Sequence, residues 1–585
     1  MLNEEFEWDR NGLPSTDMVC GPCEIITPEE VKVAIGEMKI GKATGPSGVA
    51  SEMLKAAGED GIMWLVDLFN QIIFEEKIPD DWKKSWMVTV YKGKGDAMDC
   101  GSYRGIKLLD HAMKVFERVI EKRVRRNVNL DEMQFGFRPG RGTTDAIFIV
   151  RQLQERYLSK SKELWMAFVD LEKAFDRVPR EVLWWSLRQS KVEEWIVRVI
   201  MSMYENVTTA VKVKDSASEE FKVKVGVHQG SVLSPLLFTI VLDALSRNFR
   251  GGLPWELLYA DDLVLVAESE ESLLEKISKW KTGLESKGLK VNVGKTKVLK
   301  CKGGSGTVEK SGKWPCGVCN KGVGNNSILC TKCDKWIHKR CSNTDGKLVS
   351  NEDFQCPRCM GLVVTPNTEH HKASLTLGTG VEFECVDRFC YLGDMIGAGG
   401  GAELASTVRV RCAWGKFWEL SGFLMGRGVS FKIKGKIYKA CVQSVMVYGS
   451  ETWPMRVEDQ QRLERAERMM IRLMCGVSMR DRISSDELRR RLGFDSVSIV
   501  VRRGRLRWFG HVERKTEDDW VKKCRSVEIE GKVGRGRGRK AWKEFVRGDM
   551  KVLNLSIEDV VDRDVWRRKT FGDPSEPRVR GNNRR

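Results

Sequence analysis

The chain has 585 residues, far more than one hydrophobic core usually spans, so several domains are expected. With 41% hydrophobic and 31% charged residues its composition is globular, and no apolar run approaches the roughly 18 residues that cross a bilayer. A formal net charge of +18 favours a polyanionic partner such as nucleic acid, because neutralised phosphates release counterions. These numbers predict a soluble protein that has no membrane partner.

The positive charge is concentrated near the C-terminus. From Val501 to Arg585 there are 25 Lys and Arg against 14 Asp and Glu, so more than half of the excess lies in these residues. This region is a candidate nucleic-acid surface. The alternative is a solvated basic face that keeps the protein soluble.

The first predicted element is a helix that starts at Thr27-Pro28-Glu29-Glu30, because this segment has the pattern of a capping box with proline at the first helical position. Helical periodicity continues through residues 72–74, and residues 82–91 alternate as a strand does. Between Leu164 and Leu299 apolar strands alternate with helical stretches. This alternation predicts an α+β core.

The later elements are separated by breaks in composition. Residues 301–306 have the composition of a flexible linker, and a strand-like pattern resumes at residues 380–393. From Thr407 onward the pattern is that of amphipathic helices. A basic Gly-Arg loop at residues 534–540 precedes a last predicted helix around Trp542.

Three carboxylates fall at the ends of apolar runs. Asp261 and Asp262 lie between two such runs, where a β-hairpin would present acids at its tip, and Asp170 ends a third run. Acid clusters of this kind hold Mg²⁺, and a pair of metal ions suits phosphoryl transfer. For an isolated Asp-Asp pair, a solvated turn or a helix cap is the alternative.

The surrounding motifs carry a resemblance to a known family. Residues 168–176 and 259–262 resemble the palm of reverse transcriptases, in particular those of non-LTR retrotransposons of the long interspersed element type. Further segments follow in the family's order, namely residues 103–106 and 134–140 of the fingers, 226–236, 288–297 and the primer grip at 389–393. Residues 448–453, 505–514 and 562–567 resemble the C-terminal region of such polymerases. The resemblance extends from about residue 25 to 475.

The resemblance implies the catalytic roles. Asp170 and Asp261 would bind two Mg²⁺ ions, and Asp262 would be the weaker acid. Phe175 would lie beneath the sugar of the nucleotide and exclude a 2′-hydroxyl. A phenylalanine of the core is the alternative for Phe175.

The resemblance also implies a nucleotide-binding set. Lys92 and Arg104 would bind the triphosphate of the incoming deoxynucleotide, because cationic donors suit phosphate oxygens. Gln229 and Gly230 would lie against the templating pair. Lys295 could protonate the leaving pyrophosphate, with an ordinary surface lysine as the alternative.

A cysteine-rich segment interrupts this pattern. Seven of the 17 cysteines fall between Cys316 and Cys359 in paired spacings, which predicts metal ligands rather than disulfides. With one histidine the segment offers eight ligands, enough for two tetrahedral Zn²⁺ sites: Cys316, Cys319, Cys330, Cys333, His338, Cys341, Cys356 and Cys359.

The ligand spacing resembles that of a PHD finger. The resemblance implies interleaved ligation, with Cys316, Cys319, His338 and Cys341 on one ion and Cys330, Cys333, Cys356 and Cys359 on the other. Such fingers often recognise histone tails, and Trp314 and Trp336 could contribute to an aromatic cage. Nucleic-acid contact and a purely structural insertion are the alternatives.

The sequence therefore predicts an α+β protein with a right-hand polymerase fold of fingers, palm and thumb, an inserted cross-braced two-zinc module and a helical basic C-terminal region. The predicted boundaries are 1–24 for an N-terminal segment, 25–305 for fingers and palm, 312–362 for the PHD-type finger, 366–475 for the palm end and thumb, and 476–585 for the basic nucleic-acid-binding region.

The predicted function is that of an RNA-directed DNA polymerase that extends a DNA primer on an RNA template from deoxynucleoside triphosphates. Nuclear localisation is expected, with a cytoplasmic ribonucleoprotein phase left open. The alternative is a domesticated, inactive protein that binds nucleic acid or chromatin through a PHD finger. The intact Asp170, Asp261 and Asp262 argue against that alternative.

Overall fold

The computed structural model describes residues 3–93, 95–214, 216–302, 374–378, 380–531 and 539–571. In the cysteine-rich segment it describes residues 316, 318, 327–330, 335–342, 355–357, 359 and 360. Helices and strands occur in both halves of the chain, so the protein is of mixed helix and strand content, as predicted. Among the described residues, no helix combines the length and the apolar character needed to cross a bilayer.

The first elements in the chain are α1 (Pro28–Gly36), α2 (Ser51–Ala56), α3 (Gly58–Glu75), β1 (Lys84–Tyr91), β2 (Tyr103–Leu108), α4 (His111–Asn127) and α5 (Thr143–Ser159). The predicted capping box begins α1. The Glu30 backbone N–H donates to Thr27 Oγ1 at 3.3 Å, and the Thr27 N–H donates to Glu30 Oε2 at 3.1 Å. Two backbone donors that the helix leaves free are satisfied in this way.

Strands and helices alternate in the middle of the chain, as predicted for residues 164–299. They are β3 (Leu164–Val169), α6 (Ala174–Arg177), α7 (Arg180–Gln189), α8 (Glu194–Ser202), β4 (Thr208–Val213), β5 (Ser216–Ala217), β6 (Phe221–Lys222), α9 (Ser234–Ser246), β7 (Glu256–Tyr259), β8 (Asp262–Ala267), α10 (Glu270–Glu285) and β9 (Lys297–Cys301). Cys301 was predicted to begin a flexible linker, but it is a buried residue of β9.

The cysteine-rich segment contributes β10 (Ser327–Leu329), β11 (Trp336–His338) and α11 (Lys339–Ser342). It is followed by β12 (Ser374–Thr376), β13 (Glu382–Cys385), β14 (Arg388–Tyr391) and β15 (Asp394–Gly397). Because β13 pairs in parallel with β9, the segment is inserted between two adjacent strands of one sheet.

Helices dominate the remainder of the chain. They are α12 (Glu403–Glu419), α13 (Ser421–Leu424), α14 (Phe431–Ile437), a π-helical turn (Tyr438–Gln443), α15 (Ser444–Val447), α16 (Val457–Cys475), α17 (Ser485–Leu492), α18 (Val497–Glu513), α19 (Trp520–Lys523), α20 (Trp542–Val552) and α21 (Arg563–Phe571). The helix at Trp542 was predicted to be the last, but α21 follows it and packs on α18 through Trp566.

Two sheets position the candidate site. A six-stranded sheet has the order β12-β13-β9-β3-β8-β7, and a five-stranded sheet runs β2-β1-β4-β5, with β6 also pairing with β4. In β3, at the centre of the larger sheet, every residue is buried. Trp165, Ala167 and Val169 enter a core that contains α1, α3, α4 and α7–α10.

The other face of β3 enters a second core. Leu164, Met166 and Phe168 pack there with α5 and with the C-terminal helices α18–α21. Phe148 of α5 contacts the rings of Trp508 and Trp542, with centroids 5.6 and 4.8 Å apart. Burying each such side chain stabilises the fold by roughly 2–3 kcal/mol. The C-terminal helices therefore complete the core of the sheet that carries Asp170.

A third core lies within the helices that follow β15. It contains residues of α12, α13, the π-helical turn, α15, α16 and α17, together with Trp453 and the first turns of α18. Since α18 contributes to both the second and the third core, it joins this helical bundle to the sheet.

Candidate active site

Asp261 and Asp262 occupy the tip of the β7–β8 hairpin, as predicted. Tyr259 pairs with Asp262, and Ala260, with φ at +56°, begins the two-residue turn between them. Gln134 holds this turn, because its Oε1 accepts the backbone N–H of Ala260 at 3.2 Å and that of Gly136 at 2.9 Å. The tip is thus fixed by a buried side chain outside the hairpin.

Asp170 directly follows β3. Val169 pairs with Leu263 in antiparallel register, so one residue further along, Asp170 lies opposite Asp262. The Asp170 N–H donates to Thr296 Oγ1 at 3.3 Å, and its carbonyl accepts the N–H of Asn292 at 2.8 Å. Strand register and these two bonds bring Asp170 to the same end of the sheet as the hairpin tip.

The three carboxylates act on one another electrostatically. Burial, followed by the charge of Asp170, raises the pKa of Asp261, and this rise is opposed by Arg104 and Lys295. Burial and then the charges of Asp261 and Asp170 raise the pKa of Asp262 to about 6. Because Asp262 lies partly at the surface, water screens some of this effect. Negative charge accumulates here beyond what the neighbouring cations offset.

The donor set fits a hard cation such as Mg²⁺. Oδ2 of Asp170 is buried and accepts no hydrogen bond from the residues that the structure describes, although it forms an ion pair with Nζ of Lys295 at 3.4 Å. A buried oxygen of this kind, beside two further carboxylates, is suited to a divalent metal ion. Among the described residues, there are two groups of three His or Cys side chains whose ligand atoms all lie within 4.8 Å of one another, and both groups are in the cysteine-rich segment. The carboxylate oxygens of the three aspartates are therefore spaced more widely than this.

Arg104 and Lys295, predicted to contact the nucleotide, both lie near the acids. Arg104 is an exposed residue of β2 paired with Val90, and Lys295 is 70% exposed. Both lower the pKa of Asp261. Lys92 follows β1 and donates to the carbonyl of Gly101 at 2.8 Å.

Gln229 and Gly230 lie against β2. Gln229 Nε2 donates to Asp176 Oδ1 at 2.8 Å, and its carbonyl accepts the Lys107 N–H at 2.7 Å. Gly230 has φ at +117°, and a Cβ there would be 2.3 Å from the Lys107 carbonyl oxygen. The backbones of residues 230 and 107 can lie this close only because residue 230 is glycine. The next residue, Ser231, donates to buried Glu117 at 2.6 Å, which anchors the loop.

Phe175, predicted to exclude a 2′-hydroxyl, is half-buried in the short helix α6. Its ring stacks on Phe238 of α9 with centroids 4.4 Å apart, and its carbonyl accepts the Val227 N–H at 2.8 Å. The ring therefore makes core contacts, and its role in sugar selection stays a prediction.

Lys107 is a site residue that the sequence reasoning missed. It is 5% exposed, and burial followed by the charge of Arg180 lowers its pKa to about 7, which Asp176 opposes. The signal was available, because in Tyr103–Leu108 the alternation of burial turns position 107 inward. A lysine at the inward position of a strand marks a buried charge.

The cysteine-rich segment brings together three predicted ligands of each zinc set. Cys316, His338 and Cys341 form one group, and Cys330, Cys356 and Cys359 form the other. Cys341 Sγ lies 3.9 Å from His338 Nδ1, and the Sγ atoms of Cys330 and Cys359 are also 3.9 Å apart. The remaining predicted ligands, Cys319 and Cys333, lie outside the described residues, as does Trp314.

Comparison with known proteins identifies both parts. Residues 90–318 match the family described as reverse transcriptase (RNA-dependent DNA polymerase), and residues 316–359 match the PHD-finger. The chain therefore carries a reverse transcriptase domain and a PHD finger.

The similar proteins come from retrotransposable and other mobile elements. The chain is 29% identical over 257 residues to the Pol polyprotein of the type-1 retrotransposable element R2 of Nasonia vitripennis. This alignment covers 43% of this chain and 25% of that protein. It is 32% identical to the probable RNA-directed DNA polymerase from transposon X-element of Drosophila melanogaster, over 40% of this chain and 26% of that protein. For the RNA-directed DNA polymerase from mobile element jockey of Drosophila funebris the identity is 27%, over 47% of this chain and 31% of that protein.

The match thus spans between a quarter and a third of the length of these relatives. Among solved structures, an apo telomerase from Candida tropicalis, truncated from its C-terminal domain, aligns with a TM-score of 0.30 and 18% identity. The alignment covers 42% of this chain and 56% of that chain.

Proposed function

We propose that the chain is an RNA-directed DNA polymerase that extends a primer on an RNA template. The observation that carries the proposal is the convergence of Asp170, Asp261 and Asp262 at one end of the six-stranded sheet, where burial and mutual repulsion raise the pKa of Asp261 and Asp262. The family of residues 90–318 supports it.

In this proposal the six-stranded sheet is the palm, the five-stranded sheet belongs to the fingers, and the helices from α12 to α16 form the thumb. The β14–β15 hairpin is the primer grip. These assignments rest on the order of the motifs along the chain, which the elements follow.

Asp170, Asp261 and Asp262 would hold two Mg²⁺ ions, which when bound lower the pKa of the primer 3′-hydroxyl and stabilise the charge of the transferring phosphoryl group. The three carboxylates are held in place by β3, by the hairpin turn and by Gln134. Their fixed geometry orients the reaction, because a small displacement of a reacting group has a large effect on rate.

The cationic residues act on the nucleotide. Arg104 and Lys295 flank the acids, so each can donate to phosphate oxygens of the incoming deoxynucleoside triphosphate. Lys295 would give a proton to the leaving pyrophosphate. Gln229 and Gly230 would lie beneath the templating pair, supported by Asp176 and by the β2 backbone.

The PHD finger would hold two Zn²⁺ ions in the interleaved pairing, supported by the two ligand groups within 4.8 Å. Its proposed partner is a histone tail. Trp336 is an exposed aromatic residue of the described part of this segment, 37% exposed, and would contact a methylated lysine of the tail by a cation–π interaction. A primer on chromosomal DNA would locate the protein in the nucleus.

A primer-extension assay tests the proposal. The wild-type chain should extend an oligo(dT) primer on poly(A) RNA with Mg²⁺, and Asp261→Asn should lower the rate at least about a hundredfold, because charge at the transition state is no longer stabilised. Binding to the primer-template duplex should be retained. Asp67→Asn, at an exposed position of α3, is the matched control.

Two results would contradict the proposal. If the wild type extends no primer with Mg²⁺ or Mn²⁺ yet binds nucleic acid, the protein is a binding module. If Asp261→Asn extends primers at the wild-type rate, the assignment of the acids is wrong.

A further inference from the structure

The β14–β15 hairpin packs against β3, the strand that precedes Asp170. Its turn consists of Leu392 and Gly393, both with positive φ. Phe389 stacks on Phe168, two residues before Asp170, with ring centroids 4.3 Å apart and planes at 14°. The position of the hairpin is therefore coupled to the position of the catalytic strand.

The turn of the hairpin is held by Tyr448. The Tyr448 hydroxyl donates to the carbonyl of Leu392 at 2.9 Å, and the same oxygen lies 3.1 Å from Thr143 Oγ1 of α5. Arg409 of α12 donates to the carbonyl of Gly393 and lies over the Tyr448 ring, 4.3 Å from its centroid. One tyrosine thus connects the turn to α5 and to α12.

The base of the hairpin is held by a buried charge. Asp394, fully buried, pairs with Arg151 of α5 at 2.7 Å and accepts the indole N–H of Trp453 at 3.2 Å. Arg151 also donates to the carbonyls of Gly401 and Met395 at 2.8 and 3.1 Å. A paired and fully hydrogen-bonded buried charge of this kind fixes one geometry.

Tyr448 and Trp453 begin and end the segment Tyr448-Gly449-Ser450-Glu451-Thr452-Trp453, to which the proposed chemistry gives no role. The C-terminal helices also contact this segment, because the Trp542 indole N–H of α20 donates to the Glu451 carbonyl at 2.7 Å. The segment is therefore fixed on one side by α20 and contacts the hairpin on the other.

We propose that Tyr448 and Trp453 are positioning residues that fix the β14–β15 hairpin relative to the catalytic strand and so set the location of the primer 3′ end. The inference rests on the proposed polymerase function. Neither residue would touch the reacting atoms; both act through Leu392 and Asp394.

The test uses the full chain with Tyr448→Phe and Trp453→Phe, each of which removes one hydrogen-bond donor to the hairpin. Tyr438→Phe is the matched control, because the Tyr438 hydroxyl is buried in the third core without a hydrogen-bond partner among the described residues. Single-turnover extension of a bound primer measures an amplitude, which counts folded active molecules, and a rate constant, which reports positioning.

Tyr448→Phe should lower the rate constant about fivefold to tenfold, the effect expected for one hydrogen bond, with the KM for deoxynucleotide and the Kd for primer-template within about twofold of wild type. Trp453→Phe should act in the same direction, and Tyr438→Phe should match the wild type. A fall in amplitude with an unchanged rate constant would show a purely structural role and overturn the inference.

Hydrogen–deuterium exchange separates this inference from the proposed function. Amides of residues 388–397 should exchange faster in Tyr448→Phe than in Tyr438→Phe, whether or not the protein polymerises. Unchanged exchange in the hairpin overturns the positioning role. Faster exchange with no extension by the wild type overturns the polymerase proposal and, with it, the placement of a primer end.

Discussion

Glu155 on α5 is a partly buried carboxylate at the contact between the sheet and the C-terminal helices. Its Oε2 accepts the backbone N–H of Trp542 at 2.9 Å, in the first turn of α20. Burial raises the pKa of Glu155 from its ordinary value of 4.5 to about 7, although the Trp542 N–H and Arg156 act in the opposite direction. We expect Glu155→Gln to stabilise the protein at neutral and alkaline pH.

The sign follows from proton binding. Between pH 4.5 and about 7 the folded protein keeps the Glu155 proton and the unfolded chain loses it, so rising pH lowers the free energy of unfolding. The contribution of neutral Glu155 is complete below pH 4.5 and is lost as pH rises through about 7. At about 1.36 kcal/mol per pH unit, the loss amounts to about 3 kcal/mol, which glutamine avoids while keeping the acceptor for Trp542.

Urea titrations of wild type and Glu155→Gln at about pH 5 and about pH 8 measure this difference. The variant should gain little at the lower pH and up to about 3 kcal/mol at the higher one. Glu163→Gln is the control, because Lys300 and Lys302 lower the pKa of Glu163 and its neutralisation should bring no such gain. An equal difference at both pH values would refute the argument from burial.

Three further predictions concern other parts of the chain. Protein purified without chelator should hold two Zn²⁺ per chain, as three predicted ligands of each set already cluster, and metal analysis finding fewer would contradict the assignment. Phe175→Val should raise ribonucleotide incorporation relative to deoxyribonucleotide in a competition assay, whereas Phe238→Leu, which alters the stacked partner alone, should leave sugar selection unchanged. One face of α20 carries three exposed cations, Lys543, Arg547 and Lys551. Replacing all three with glutamine should reduce the slope of log affinity for duplex DNA against log salt concentration by up to about 0.9 per lost phosphate contact. An unchanged slope would show that these side chains are merely solvated.

Local chemistry made the first helix and the acidic hairpin predictable. A capping box satisfies its own helix end, and two acids between apolar runs leave few options except a turn, so neighbouring residues suffice to place both. The convergence of Asp170 with Asp261 needed the resemblance, because strand register is set by pairing across the sheet and not within β3.

The environment of the C-terminal region was not predictable in this way. Its charge pattern indicated a basic surface, and its helical periodicity could not say which surface the helices would cover. Trp542 meets Glu155 and Phe148 across nearly 400 positions of sequence. For the same reason the deletion of residues 501–585 would be a poor test of nucleic-acid binding, since it would also remove part of the second core. The predicted boundary at residue 476 stays a prediction.

This arrangement has a consequence for synthesis on the ribosome. β3 leaves the ribosome long before Trp542 and Trp566, which belong to the core on one face of its sheet. At a synthesis rate of about 5–20 residues per second, the helices that carry these residues are made roughly 20–80 s after β3, and the apolar face of the sheet lacks them until then. Exposed apolar surface makes an incomplete chain prone to aggregation during that interval. A premature stop codon ahead of α18 would leave these helices out of the second core, so we expect the truncated product to aggregate rather than to fold.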